Sequence, residues 1–159
     1  MKILLIEDND GKRDRIKEFL LRSGKVTTVE ERRSYNSGIR ALMADRFDLV
    51  LLDMSLPTYD KTEREPGGSM RVFGGMDILS QMKRRTIKCP VVVVTQFDFF
   101  DTFDGSGKKL SLAAVKEELE REYKGNFWGL VSYNASKGDW ENDLANLLAT
   151  ISRKKGGEC

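Results

Sequence analysis

The chain contains no histidine. That absence excludes His-based catalytic triads, most zinc sites and any phosphohistidine on this chain itself. Cysteine is scarce, with only Cys89 and Cys159, far apart among 159 residues. Cys89 precedes Pro90 at an expected strand start, and Cys159 is the last residue. No disulfide is expected, and a reducing, cytoplasmic setting is the default. No apolar run approaches the roughly 18 residues of a membrane span. The amino terminus runs straight into an apolar strand, so no signal peptide is expected. An excess of one charge sign is also lacking: 27 Lys and Arg face 25 Asp and Glu, a net charge of +2. No strong field argues for nucleic acid or an anionic membrane, and neither is an expected partner. The basic stretch Arg153-Lys154-Lys155 reads as a solvated helix end.

What is present is an ordinary soluble composition, 40% hydrophobic and 33% charged. The length suits one domain with a proper core. Its most informative feature is a pair of apolar runs that end in carboxylates. The first is Ile3-Leu4-Leu5-Ile6-Glu7-Asp8, and the second is Leu49-Val50-Leu51-Leu52-Asp53-Met54-Ser55-Leu56-Pro57. Short apolar runs of this kind read as buried parallel strands. In an open α/β sheet, ligands bind beyond the carboxyl ends of the strands. If the two strands are neighbours, Glu7, Asp8 and Asp53 converge there. Clustered carboxylates repel unless a cation sits among them. Mg²⁺ suits such a site, because it takes one or two carboxylates and keeps waters for a phosphate.

Strand patterns at residues 2–7, 25–30, 48–53, 90–95 and 127–133 alternate with helical patterns at 11–22, 34–45, 75–85, 112–123 and 139–153. The helices carry apolar stripes: Ile16, Phe19 and Leu20 in the first; Ile39, Leu42 and Met43 in the second; Trp140, Leu144, Leu147, Leu148 and Ile151 in the last. Asn9 or Asp10 can cap the first helix. Five βα units with right-handed crossovers give an α/β three-layer sandwich around a five-stranded parallel sheet. It reads as a single domain over residues 1–155 with a tail at 156–159. Long loops are expected at 58–74 and 96–111, both after the carboxyl ends of strands. The first is polar, glycine-bearing and without a strand or helix period, so it should be mobile and dispensable for folding. The second carries Phe97, Phe99, Phe100 and Phe103 and is a candidate partner contact.

These residues resemble the receiver domains of response regulators in two-component signalling. Glu7-Asp8 looks like the acidic pair that holds Mg²⁺. Asp53, with Pro57 four residues on, looks like the phosphoacceptor. Thr95 looks like the hydroxyl that binds the phosphoryl group, and Lys137 like the lysine before the last helix. The resemblance implies a flavodoxin-like (βα)5 fold with strand order 2-1-3-4-5. It also implies a phosphoacceptor rather than an enzyme, with Glu7, Asp8 and Asp53 on the metal. Its partners would be a sensor histidine kinase or phosphotransfer protein and a downstream protein target. The chain stops after its fifth βα unit, so a stand-alone receiver acting by docking is expected.

Four positions depart from the family pattern. Gly138 follows Lys137 where a proline is usual, and Gln96 follows Thr95 where Ala or Gly is usual. The next residue, Phe97, is large and apolar. Tyr133, which resembles the family's strand-5 aromatic, lies four residues before Lys137 rather than three. Either a one-residue bulge intervenes or Lys137 is not the equivalent residue. A pseudo-receiver that docks without phosphorylation is the alternative. A flavin carrier or haloacid-dehalogenase-type phosphatase fits less well. The phosphatase wants an Asp where Ser55 stands, and Glu7-Asp8-Asn9-Asp10 would repel a flavin phosphate.

Overall fold

The computed structural model describes residues 1–96, 99–101 and 109–157. The apolar runs become β1 (Lys2–Ile6), β3 (Leu49–Leu52) and β6 (Val91–Thr95), buried on both faces. With β2 (Thr28–Arg32) and β9 (Phe127–Ser132) they form one sheet in the order β2-β1-β3-β6-β9, every pair parallel. This is the expected flavodoxin-like order. The second strand lies further along than its pattern suggested, because Met1 O takes the Thr27 N–H at 2.9 Å and the pairing starts only at Lys2 with Thr28.

Alternation along the strands divides the core into two layers. Leu4, Ile6, Val50, Leu52, Val91 and Val93 face α2 (Tyr35–Ala44), α3 (Gly74–Arg84) and α4 (Leu112–Glu122). Ile3, Leu5, Leu49, Leu51, Val92 and Val94 face α1 (Asp10–Arg22) and α5 (Asp139–Gly156). Each fully buried Leu, Ile or Val contributes about 1.5–3 kcal/mol. Helix starts follow from local chemistry. Asn9 Oδ1 accepts the Lys12 N–H at 2.9 Å, and Ser34 caps α2 in a reciprocal box with Ser37. Ile16, Leu20 and Leu42 are buried as expected, but Met43 is exposed and Ala41 takes the inward position.

Both long connections carry short antiparallel strands among their described residues. Residues 58–74 are anchored by a ribbon of β4 (Leu56–Pro57) and β5 (Met70–Arg71), paired antiparallel. The Thr58 N–H donates to Ser69 O at 3.1 Å, and the Tyr59 N–H to Gly67 O at 2.9 Å. The Arg71 guanidinium stacks 4.2 Å over the Tyr35 ring, while Val72 and Phe73 pack on the core. The ends of the segment join the core, while residues 59–66 between them are exposed. The 96–111 connection contains β7 (Phe99–Asp101) and β8 (Lys109–Ser111), again antiparallel. Phe97 and Phe103, and the side chains of Phe99 and Phe100, lie outside the described residues, as does Cys159.

The end of α5 is not simply solvated. Lys155 Nζ lies 2.6 Å from Asp48 Oδ1 and Lys154 Nζ lies 4.5 Å over the Trp128 ring. Cys89 is buried and unpaired, and burial pushes its thiol up to about 11, so it stays protonated. Among the described residues, no helix is long and apolar enough to cross a membrane.

One glycine sets the backbone behind β3. A Cβ on Gly75 would lie 2.5 Å from Asp53 O and 3.0 Å from Met54 Cα. The Gly75 N–H donates to Met54 O at 2.8 Å, which locks this approach. Gly75→Ala should therefore overpack backbone against backbone. The expected loss is about 1–3 kcal/mol, read as a lower urea midpoint with unchanged slope.

Candidate functional site

The parallel pairing of β1 with β3 puts Ile6 opposite Leu52, so the residues that follow each strand share one end of the sheet. The Asp53 N–H donates to Ile6 O at 3.0 Å, and the Glu7 N–H donates to Arg32 O at 3.0 Å. These bonds carry the ladder one step past the strands and aim Glu7 and Asp53 into the same crevice. Arg13 secures the corner: Nη1 donates to Glu7 O at 3.3 Å, and Nε donates to Glu31 at 3.2 Å. Glu7, Asp8 and Asp53 each offer an oxygen within 4.8 Å of the others. Glu7 is 1% exposed and Asp53 6%, while Asp8 is half-buried at the mouth. Thr95, fully buried, ends β6 two residues beyond Val93, which pairs with Leu52. Four of the five expected site residues therefore meet at this end of the sheet.

Lys137 does not join them. It is exposed, and among the described residues it has no ion pair with Asp53. It lines a surface hollow between α1 and α5 with Arg15, Glu18 and Trp140. The physical cause is the turn after β9. Asn134 Oδ1 accepts the Ser136 N–H at 3.0 Å and its hydroxyl at 2.7 Å, and Ala135 O accepts from Arg15 at 2.9 Å. That turn carries residue 137 away from the crevice. The irregularity in β9 falls at Trp128, where the pairing jumps from Phe127 to Gly129. It lies before Tyr133, so no bulge within the strand re-aims Lys137. The structure does not bring Lys137 to Asp53 as the resemblance implied.

A different lysine occupies the site. Lys12, in the first turn of α1, is 2% exposed. Its Nζ lies 2.6 Å from Glu7 Oε2 and 3.3 Å from Asp53 Oδ1, and donates to Val94 O at 2.7 Å. Sequence reading missed it, although a signal exists. Lys12, Ile16 and Leu20 recur every four residues, so Lys12 shares the buried face of α1. A lysine on such a face needs an anionic partner.

The other bonds complete the electrostatics. Glu7 Oε1 accepts the Asn9 N–H at 3.0 Å, and Asp53 Oδ1 accepts the Met54 N–H at 2.8 Å. Burial, and then the charge of Asp53, push Glu7 up to about 8. Burial also raises Asp53, against the opposing pull of Lys12. Two ammoniums border the cluster, Lys12 between Glu7 and Asp53 and Lys61 at 4.0 Å from Asp8, and a divalent cation would favour the charged forms of the two carboxylates that burial disfavours. A hard oxygen donor set with one partly open ligand fits Mg²⁺. Gln96, beside Thr95, is exposed.

No protein-family model matches the chain. Individual relatives do. The chain is 32% identical over 156 residues to the Detocs response regulatory protein DtcB of Enterobacter cloacae, covering 95% of this chain and all of that one. It is 27% identical over 154 residues to protein y4jR of Sinorhizobium fredii, covering 96% of this chain and all of that one. Among solved structures, the signal receiver domain of an HD domain-containing protein from Pseudomonas fluorescens superposes with a TM-score of 0.65 at 16% identity, covering 99% of this chain and 98% of that chain. The response regulator TrrA of Thermotoga maritima, in complex with Mg²⁺-BeF, gives a TM-score of 0.55 at 14% identity over 92% of this chain and 97% of that chain. The buried acidic crevice, the strand order and the full-length match converge: the chain belongs to the response regulator family and has its receiver fold.

Proposed function

We propose that the chain accepts a phosphoryl group on Asp53 with Mg²⁺ and signals by protein–protein contact. The observation that carries this reading is the convergence of Glu7, Asp8 and Asp53 within 4.8 Å at the end of a parallel sheet. Glu7, Asp8 and Asp53 would hold Mg²⁺, which when bound supplies charge neutralisation for phosphoryl transfer. An Asp53 carboxylate oxygen attacks phosphorus and forms the acyl–phosphate P–O bond. The donor's P–N bond (phosphohistidine) or P–O bond (acyl phosphate) breaks, and the leaving group keeps its electron pair. Thr95 donates its hydroxyl to a phosphoryl oxygen. The low exposure of Asp53 keeps bulk water from competing.

The donor is a sensor histidine kinase or a phosphotransfer protein, and the receiver of the signal is a protein target. Phosphorelay in the cytoplasm is the setting, and neither nucleic acid nor membrane is a partner. The chain is not an enzyme with a turned-over small substrate; its chemistry is its own phosphorylation and dephosphorylation. A second reading, a pseudo-receiver that docks without phosphorylation, is favoured by one observation: Lys137 is turned away from Asp53.

Intact mass separates the two. With Mg²⁺ and a small acyl-phosphate donor, the wild-type chain should gain one phosphoryl group and Asp53→Asn none. An adduct that persists in Asp53→Asn would sink the assignment of Asp53. A wild-type chain that gains nothing would leave the pseudo-receiver.

A further inference from the structure

We propose that Lys12, from the first turn of α1, is the cation that engages the phosphoryl group on Asp53 and reports its presence to the rest of the domain. The inference rests on the phosphoacceptor reading above. It replaces the role that resemblance gave to Lys137.

An ammonium has three N–H donors and a compact charge. In the unphosphorylated chain three acceptors surround Lys12 Nζ: Glu7 Oε2 at 2.6 Å, Val94 O at 2.7 Å and Asp53 Oδ1 at 3.3 Å. The bond to Asp53 is the longest and weakest of the three. Phosphorylation turns one Asp53 oxygen into a poor, esterified acceptor. It also brings in phosphoryl oxygens that carry about −1.5 to −2 charge at neutral pH. A charge-assisted bond to those oxygens is stronger than the one it replaces. The exchange needs no new side chain to enter, since Lys12 already touches the attacking residue. Of its two remaining tethers, Glu7 Oε2 and Val94 O, the second lies next to Thr95, so the cation and the hydroxyl approach the phosphoryl group from neighbouring positions.

The same lysine has a built-in reporter. Its Nζ lies 5.8 Å from the centre of the Tyr133 ring, and that ring lies 5.1 Å from the Trp140 ring. Trp140 opens α5 and also meets Phe19 of α1 at 5.5 Å. A shift of the Lys12 ammonium toward a phosphoryl group changes the field and packing on this aromatic chain. The signal therefore leaves through α1 and the start of α5. The loop that carries Lys137 is bypassed.

The test uses the full chain with Mg²⁺ and beryllofluoride, a phosphoryl mimic, read by tryptophan fluorescence. A parallel arm uses an acyl-phosphate donor, read by intact mass. The wild type should show a saturable fluorescence change and one adduct. Lys137→Ala should match it in both. Lys12→Gln should keep a folded circular dichroism spectrum, lose the fluorescence change and form the adduct more slowly by on the order of 100-fold, as when one oxyanion donor is removed. Lys12→Arg restores the charge and should recover part of both responses, which a purely structural role would not require. If Lys12→Gln fails to fold, Lys12→Arg and Lys137→Ala still decide. A Lys137→Ala chain that loses the response, or a Lys12 variant that keeps it in full, overturns the proposal. A wild-type chain with no adduct and no response to beryllofluoride overturns the phosphoacceptor reading and this inference with it.

Discussion

Lys12→Met is expected to lower folding stability by about 3–5 kcal/mol at neutral pH without divalent cations, the loss typical of breaking a buried ion pair. The pair here is a cluster. Lys12 faces Glu7 at 2.6 Å and Asp53 at 3.3 Å, and all three side chains are nearly inaccessible to water. Methionine keeps the volume and the unbranched stem, so packing around Ile16 and Leu20 survives. What is lost is the one positive charge facing two carboxylates that burial already disfavours. Added Mg²⁺ should recover part of the loss, because it neutralises the same oxygens. Lys137→Ala is the control. It removes an exposed side chain and should stay within about 0.5 kcal/mol of wild type. Urea unfolding of the three proteins measures both effects. Equal stabilities would mean that the Lys12 cluster contributes nothing net to folding.

Saturating Mg²⁺ is the second large expected effect, now on the wild type. A ligand that binds only the folded state at 100 times its dissociation constant adds about 2.7 kcal/mol. For a chain of this size, each kcal/mol raises the melting temperature by roughly 2–4 °C. The mechanism is specific: metal removes repulsion among Glu7, Asp8 and Asp53 that Lys12 offsets only in part. Asp8→Asn should therefore shrink the Mg²⁺ gain. Asp8 is also the partly exposed ligand, so this change is the least disruptive to folding. Asp53→Asn should stabilise the metal-free protein, since its charge is held there against burial. A melting curve unmoved by millimolar Mg²⁺ would argue against a metal site.

These outcomes depend on features of unequal visibility in the sequence. The strands of the main sheet, and the acids that close β1 and β3, are legible because they are local. Four apolar residues followed by an acid need no knowledge of the rest of the chain. The convergence of Glu7 with Asp53 needs only that β1 and β3 be neighbours, and the resemblance supplied that order. Lys12 carried only a weak signal, for a chemical reason. Helical periodicity assigns lysine to the solvated face, so a lysine in register with Ile16 and Leu20 is read as a break in the stripe. Its burial becomes legible only once Glu7 and Asp53 are known to face it. Lys137 failed in the opposite way. Its place before the last helix fixes a position along the chain but not a direction, and beyond the turn at Asn134 it is exposed. The β4–β5 ribbon has two residues per strand, too few for any alternation to show. It is held by backbone bonds and by Arg71 over Tyr35, neither of which has a sequence period.

Asp53 is where phosphorus is expected to become attached. Reductive trapping tests it most directly. The chain is incubated with Mg²⁺ and an acyl-phosphate donor, treated with borohydride and digested for peptide mass mapping. Borohydride reduces an aspartyl phosphate to homoserine and leaves free carboxylates untouched. The expected result is homoserine at position 53 alone, with Glu7 and Asp8 unmodified. Reduction at another acidic residue, or at none, would contradict the account.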